Sequence, residues 1–573
     1  MRSHYNNELN LNNLGERVTL NGWVSKSRNL GGLIFVDLRD RFGITQLTFK
    51  EEKVYELAVT LKNEDVISIT GLVIERESKN KNIKTGDIEV LVDTLEVLSR
   101  ANPLPIIVGD SNVLEETRLK YRYLDLRNPK QQNYLIKRHE VMQATRKVLV
   151  GDGFYELETP LLGKSTPEGA RDYLVPSRVH KGQFYALPQS PQMYKQLFMV
   201  AGFEKYFQIT KCFRDEDLRS DRQPEFTQID IEASFVDEEH IYNLSEKLLK
   251  GIFKDVINED IKTPFLRMNF EDAMKNYGSD KPDMRFEVLI KDLNNLSAAN
   301  IPFFEGVEHI AGIILPEQEK FSRKVIDKLN DEYKLKYKQV FAFVKKSNDT
   351  YSGSIVKFLN EEQLASLNLE NEEVIFITGG DYESVQIALG ALRIKLANEL
   401  NLINDNVYKF LIVTDFPLLE YDKEEARYFA RHHPFTAPKD PKQLISDPKN
   451  AVARAYDIVL NGYELGGGSI RIHDQKIQKQ MFNTLGFSDQ DILEQFGFFA
   501  EALGYGTPPH AGIAFGLDRI VMLLTKTNNI KDVIAFPKTQ NARDLMTEAP
   551  GVVTKLQLDE LGIKVKGESN EKN

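Results

Sequence analysis

The sequence predicts an α+β multidomain protein, and three observations carry that expectation. Residues 17–98 break into five short segments rich in Val, Ile, Thr and Phe, separated by Gly or Asn/Asp clusters, the texture of a small β-barrel. A helix-period stretch at 131–150 leads into strand-rich sequence to about residue 264, and strand-rich sequence returns from about 407 to 545. Between these two stretches, from about 285 to 402, helices and strands alternate among many Lys and Glu, which reads as an inserted domain. With 573 residues the chain exceeds one core, and about three to five domains are expected.

The barrel strands are RVTLNGWVS, GLIFVDLRD, ITQLTF, VISITGLVIE and IEVLVDTLEVL. Five such strands suit an OB-type barrel, a fold that often binds oligonucleotides, and suit any other small barrel equally well. In GLIFVDLRD the two-residue period puts Ile34, Val36 and Leu38 in the core and Phe35 on the other face beside Asp37 and Arg39. An aromatic there can stack on an unpaired base, or be covered by a loop, and Trp23 is a rival platform. The same alternation puts Gln46 outside, opposite Leu47 and Phe49.

Asn102-Pro103-Leu104-Pro105 ends the barrel pattern and stiffens the chain, giving a barrel domain over 1–102 and a hinge over 103–130. The helix at 131–150 carries apolar Tyr134, Leu135, Val141, Val148 and Leu149 and ends before Gly151 and Gly153. A large domain then spans 131–284 and 403–545, interrupted by the insertion at 285–402. Residues 546–573 form an extension whose end, KVKGESNEKN, is polar and expected to be disordered.

Composition excludes several classes. Hydrophobic residues are 41% and charged residues 28% of the chain, ordinary for a globular protein. The polar start MRSHYNNELNLNNLGERV is no signal peptide, and no apolar run is long enough to span a bilayer. A single cysteine, Cys212, rules out an internal disulfide and a cysteine-cluster zinc site. A cytoplasmic protein without a membrane partner is expected. The net charge of −11 argues against binding nucleic acid through bulk charge, so an RNA partner needs local basic patches.

Some motifs fail. Gly163-Lys164-Ser165-Thr166 resembles the end of a P-loop, but Glu158 stands where the first glycine must be. No GxGxxG precedes a helix and no HExxH occurs. His432 and His433 are adjacent, so on a strand their rings face opposite ways, which disfavours a zinc site.

Three segments remain: GFYELETPLL at 153–162, CFRDEDLR at 212–219 with PEFTQID at 224–230, and GIAFGLDR at 512–519. Together they resemble the three signature motifs of class II aminoacyl-tRNA synthetases. STPEGARDY at 165–173, QSPQ at 189–192, HHPFT at 432–436, GGGSIR at 466–471 and the insertion itself extend the likeness along nearly the whole chain, towards the bacterial-type aspartyl-tRNA synthetases. The resemblance implies an N-terminal OB-fold barrel, a catalytic domain on an antiparallel sheet and an inserted α+β domain of the GAD type.

It also implies chemistry. An aspartate carboxylate attacks the α-phosphate of ATP, with magnesium, and the aspartyl group then passes to tRNA(Asp). Both reactants are anionic, so catalysis rests on positioning and charge stabilisation. Arg214 would clamp the α-phosphate and the attacking carboxylate, and Arg519 would hold the γ-phosphate; arginine's planar, permanently charged fork suits both tasks. Out of context, Arg214 among Asp215, Glu216 and Asp217 would read as a solvated ion-pair cluster. Asp215, Glu216, Gln223, Glu464 and the run Gly516, Leu517, Asp518 and Arg519 complete the implied ATP subsite. Asp457 and Glu464 resemble the carboxylate pair for magnesium, which needs hard oxygen ligands. They flank Asn461-Gly462, a turn-like pair. The glycines 466–468 allow close approach of a ligand or mark a flexible turn.

For the amino acid, the resemblance implies Lys195 and Arg471 facing the side-chain carboxylate, Glu168 on the ammonium, and Gln192 and His432 completing the pocket. Read alone, Lys195 could be an exposed lysine on an amphipathic helix. Phe35 and Gln46 would contact the tRNA anticodon, and Leu30 would bear on discrimination between tRNA(Asp) and tRNA(Asn). A homodimer through residues 131–162 is implied. Competing readings are an asparaginyl- or lysyl-tRNA synthetase of the same subclass and a non-catalytic RNA-binding relative.

Overall fold

The structure is a computed structural model that describes residues 1–110, 112–166, 169–218, 221–299 and 301–566. It divides into two compact units, Met1–Val113 and Leu114–Asn573. Among the described residues no helix is long and apolar enough to cross a membrane.

The first unit is a closed barrel of five strands, Arg17–Asn29, Ile34–Arg39, Ile44–Phe49, Val66–Glu75 and Ile88–Ser99, in which the third strand pairs with the fifth and the fifth with the fourth. Alternation builds it: Ile34, Val36, Leu38, Leu47 and Phe49 are buried inside with Val18, Leu20 and Val24. Phe35 is half-buried on the outer face, paired in register with Arg28 and Thr48. Gln46 departs from expectation. It lies on the outer face opposite Asp37, yet is only 4% exposed. Its amide donates to Glu89 and accepts from Arg28 at 3.3 Å. The polar groups of that face satisfy one another, because a buried amide needs its own partners.

The second unit is built on an eight-stranded sheet, in spatial order Leu266–Asn269, Phe410–Thr414, Ala455–Leu460, Tyr463–Ile470, His510–Gly516, Glu225–Ser234, Lys205–Phe213 and Tyr155–Glu156. The six central strands are antiparallel and only the two edge pairings are parallel. Helices Pro129–Gly151, Glu238–Ile257 and Leu517–Leu524 cover one face with a common apolar core. That leaves the other face for polar side chains.

The stretch expected to be strand-rich contains the twenty-residue helix Glu238–Ile257. Its apolar residues Ile241, Leu244, Leu248, Leu249, Ile252 and Phe253 follow helical spacing, and Asp237 caps it by accepting from His240 N–H at 3.0 Å. Helices Gln475–Thr484 and Asp489–Ala502 likewise interrupt the later strand-rich stretch. The expected hinge at 103–130 is also partly ordered. Glu115–Lys120 and Arg122–Asp125 are short helices, and buried Arg122 donates to the Ala535 and Ile534 carbonyls at 3.0 and 3.2 Å.

Within the same unit, a separate antiparallel sheet of five strands spans residues 290–380, with helices Arg323–Tyr337 and Tyr382–Glu399 against it. It occupies the stretch read as an insertion.

Candidate active site

The polar face of the large sheet is assembled by alternation. In Glu225–Ser234, Ile229 and Ile231 enter the core, so Gln228, Asp230 and Glu232 point the other way. Opposite them in register stand Gly516, Ala514 and Gly512, and a Cβ at Gly512 would collide with the Glu232 carboxylate. The three glycines 466–468 are not a flexible turn. They lie in the strand Tyr463–Ile470. A Cβ at Gly466 would come within 2.7 Å of Phe515, one at Gly468 within 2.6 Å of Tyr456, and one at Gly467 within 2.7 Å of Asp457 Oδ1. The turn before this strand has Asn461 at φ 53° and Gly462 at φ 86°, the two left-handed residues that a tight hairpin needs. Asn461 is held by accepting from Lys409 N–H at 2.9 Å and donating to Val407 O at 2.8 Å.

Two cavities open on this face, of about 540 and 480 Å³. Gln192, Lys195, Asp230, His432, His433 and Arg471 line the first. Gln223, Lys281, Gly516, Asp518 and Arg519 line the second. Arg214, Glu216, Gln228 and Glu464 line both, so they form the shared wall.

The first cavity holds a buried charge network. Lys195 is 1% exposed, on helix Gln192–Val200, so it is no surface lysine. Its Nζ lies 2.8 Å from Asp230 Oδ1 and 3.3 Å from Glu232 Oε2. Arg471 Nε and Nη2 fork the two oxygens of Glu232, while Nη1 donates to Ser469 Oγ at 2.6 Å and His433 Nε2 at 2.7 Å. Burial pushes the Glu232 carboxyl up, but Arg471 and Lys195 more than reverse this and hold it below its ordinary range. Burial likewise opposes the charge on Arg471, and Glu232 outweighs it. Asp230 Oδ2 and Gln192 Nε2 are buried with no partner among the described residues.

His432 and His433 both line this cavity, contrary to the opposite-face expectation, because they follow the strand Arg427–Ala430 in a bend. Burial, then the Arg431 charge, lowers His432 to about 4, so it is neutral at pH 7. The resemblance pointed to His432 alone; His433 is the ring that touches Arg471.

At the shared wall Arg214 follows the strand Lys205–Phe213 and stacks 5.1 Å over the Phe226 ring. Glu216 pairs with Arg222 at 3.2 Å. Deeper in the second cavity, Arg519 donates to the Glu464 carbonyl and lies 3.4 Å from Asp221, and its Nε has no partner among the described residues.

Several residues named by resemblance also make structural contacts. The Gln223 amide is anchored to the backbone of Lys538, donating to its carbonyl at 3.0 Å and accepting from its N–H at 2.8 Å, with one N–H left over. Asp518 is buried, accepting from Thr227 N–H at 2.7 Å and pairing with Arg138. The Leu517 side chain is core. Asp215 is exposed, its backbone bridged to Arg171, and it lines neither cavity. These four hold neighbouring segments in place. Glu168 lies outside the described residues.

For magnesium, no group of three or more His, Cys, Asp or Glu suited to a metal occurs among the described residues. Asp457 and Glu464 nevertheless converge: a Cβ on Gly467 would lie 2.7 Å from one carboxylate and 3.6 Å from the other. Burial, then Glu464 and Asp280, pushes Asp457 well above its ordinary value. Glu464 feels the same burial but is held low by Lys281 and Arg519. Two crowded carboxylates with room for waters and phosphate oxygens fit the donor set of magnesium.

This geometry, a polar sheet face with one arginine between two cavities and another at the helix Leu517–Leu524, defines a class II aminoacyl-tRNA synthetase. The family model for class II tRNA synthetases (D, K and N) matches residues 114–540, and the OB-fold nucleic acid binding domain matches residues 18–98. The chain is 51% identical to an aspartate–tRNA ligase of Macrococcus caseolyticus, covering 98% of each protein. It is 50% identical to that of Agathobacter rectalis, covering 100% of this chain and 98% of the relative. It is 49% identical to an aspartate–tRNA(Asp/Asn) ligase of Bacillus cytotoxicus, covering 98% and 99%. Among solved structures, asparaginyl-tRNA synthetase of Pyrococcus horikoshii with asparaginyl-adenylate superposes with a TM-score of 0.60 at 20% identity, over 94% of this chain and 98% of that one. An aspartyl-tRNA synthetase of Entamoeba histolytica gives 0.57 at 20% identity, over 93% and 90%. The chain belongs to the aspartate–tRNA ligases of this class.

Proposed function

We propose that the chain activates L-aspartate with ATP in these two cavities and transfers the aspartyl group to tRNA(Asp). One observation carries the reading: Arg214 and Glu464 stand on the wall that the cavities share. A carboxylate in the first cavity and an α-phosphate in the second meet there.

The first cavity takes the amino acid. Lys195 donates to Asp230 and is ion-paired with Glu232, and Arg471 commits four of its five donors, leaving at least one on each. Two preorganised donors suit the two oxygens of a short carboxylate. Asp230 Oδ2, an acceptor without a partner among the described residues, suits the ammonium. An asparagine amide would set its own donors against these cations, a mismatch worth several kcal/mol.

The aspartate α-carboxylate oxygen attacks Pα, and the Pα–O bond to the β-phosphate breaks with its electrons leaving on pyrophosphate. Arg214 neutralises the approach and Arg519 the departing charge. Asp457 and Glu464 would hold magnesium, which supplies further charge neutralisation at the phosphates when bound.

The barrel would bind the anticodon through Phe35. Leu30, 69% exposed between the first two strands, would favour tRNA(Asp) over tRNA(Asn), and charging of the two purified tRNAs tests that. The test of the core reading is aspartate-dependent exchange of pyrophosphate into ATP. Arg214→Ala is expected to lower it by about 10²–10³, and near-normal exchange would overturn the assignment.

A further inference from the structure

None of the residues lining the two cavities comes from the inserted sheet or its helices. The loop that leads into it does reach them. Lys281 lines the second cavity, with Nζ 3.4 Å from Glu464 Oε2 and 3.9 Å from Asp280 Oδ1. Lys281 is thus a cation placed among carboxylates at the point where a polyphosphate must approach them.

The loop has no regular structure of its own and is gripped from two sides. On the catalytic side Asp283 packs on the hairpin turn; a Cβ at Gly462 would lie 3.2 Å from the Asp283 Cβ. On the inserted side, helix Tyr382–Glu399 crosses the chain at Gly278 in glycine-to-glycine contact. A Cβ at Gly390 would lie 2.5 Å from Gly278 O and 2.7 Å from Tyr277 O, and one at Gly278 would collide with Gln386 O. One turn further along, buried Arg393 donates to the carbonyls of Asp283 at 2.7 Å, Phe286 at 3.1 Å and Val288. Its guanidinium lies 3.9 Å over the Phe286 ring. A fully buried arginine spent on three backbone carbonyls holds a chain path, since its fork is rigid.

The geometry points to Lys281 as a third cation of the ATP subsite, in contact with the polyphosphate, and to the inserted domain as the element that positions it through the Gly278–Gly390 contact. The inference rests on the reading of the second cavity as an ATP site. Glu464 is the carboxylate that Lys281 now faces, and it is one of the pair suited to magnesium. Glu464 would hold that metal, which would leave the Lys281 ammonium, on the lining of the same cavity, to pair with the phosphates. A compact charge on a flexible stem suits that exchange of partners better than a planar fork does.

The test uses the full chain. ATP affinity is measured by calorimetry without aspartate, and KM for ATP and for aspartate by pyrophosphate exchange. Lys281→Ala is expected to weaken ATP binding and raise its KM by about tenfold or more and to leave the aspartate KM nearly unchanged, while Lys281→Arg, which keeps the charge but not the compact stem, falls between the parent and Lys281→Ala. Gly390→Ala is expected to raise the ATP KM in the parent and to add nothing in the Lys281→Ala background. Should thermal unfolding show that Gly390→Ala does not fold, Arg393→Lys takes its place in the same cycle. Unchanged ATP affinity in Lys281→Ala would overturn the role of Lys281. Equal effects of the helix variant in both backgrounds would overturn the positioning. Full exchange by Arg214→Ala would instead remove the ATP reading itself.

Discussion

Arg471 grips Glu232 with two parallel bonds, Nε to Oε1 at 2.9 Å and Nη2 to Oε2 at 3.1 Å, and neither side chain is more than 2% exposed. Glu232 lines neither cavity. It makes the two cations of the first cavity tolerable inside the fold and aims them.

A stability prediction follows from its charge. The folded pKa of Glu232 lies below its ordinary value, so its contribution is present above the unfolded value of about 4.3. It is lost as pH falls through the lower folded value. Glu232→Gln leaves two buried cations facing one acid and should cost about 3–5 kcal/mol at pH 7. The variant should also lose part of the acid-side fall in stability below about pH 4. Urea titrations at several pH values read both, and a variant as stable as the parent at pH 7 would contradict the network.

Amino-acid choice should separate from ATP binding. Arg471→Leu is expected to raise the aspartate KM by about 10²-fold or more while calorimetric ATP affinity is retained. If ATP affinity collapses and aspartate activation survives, this arginine belongs to the other subsite.

The barrel face offers a third test. Base–aromatic stacking is worth roughly 1–3 kcal/mol, so Phe35→Ala should slow aspartate transfer to tRNA by about tenfold or more with exchange intact. Equal loss in both assays would mean a folding defect, and undiminished charging would remove Phe35 as the platform. Gln46→Ala is expected to lower barrel stability instead, since its amide is consumed by Glu89 and Arg28.

Assembly is the fourth. Along 131–162, Ile136, Val150, Tyr155, Leu161 and Leu162 are all at least 45% exposed, an apolar surface that a two-fold contact would cover. Sedimentation is expected to give a dimer at micromolar concentration, and a monomer there would refute it.

Local patterns were legible in the residues because they depend only on neighbours in the chain. Strand alternation placed Ile34, Val36 and Leu38 inside and Phe35 outside, and Asn461-Gly462 read correctly as a turn. The helix Glu238–Ile257 has the same local signature in its apolar spacing and in the Asp237 cap, although strands flank it on both sides in the chain. The class was carried by motif strings in order, and so were Arg214 and Arg519.

The sequence by itself therefore determined many of the elements, the family, and the motif positions of Arg214 and Arg519. Only the tertiary structure decided which polar side chains are free. Gln223 and Asp518 have the right chemistry for ATP and line the second cavity, and packing anchors them to Lys538, Thr227 and Arg138. Asp230 and His433 stand inside the motif strings PEFTQID and HHPFT, but nothing in the letters assigns them a role, and Glu232 has no motif at all, since a buried acid and a solvated one are the same letter. Their role appears when strands distant in sequence bring them beside Lys195 and Arg471. The physical reason is desolvation: inside the fold each charge must find a partner within about 3 Å, and which partner that is depends on the register of the sheet.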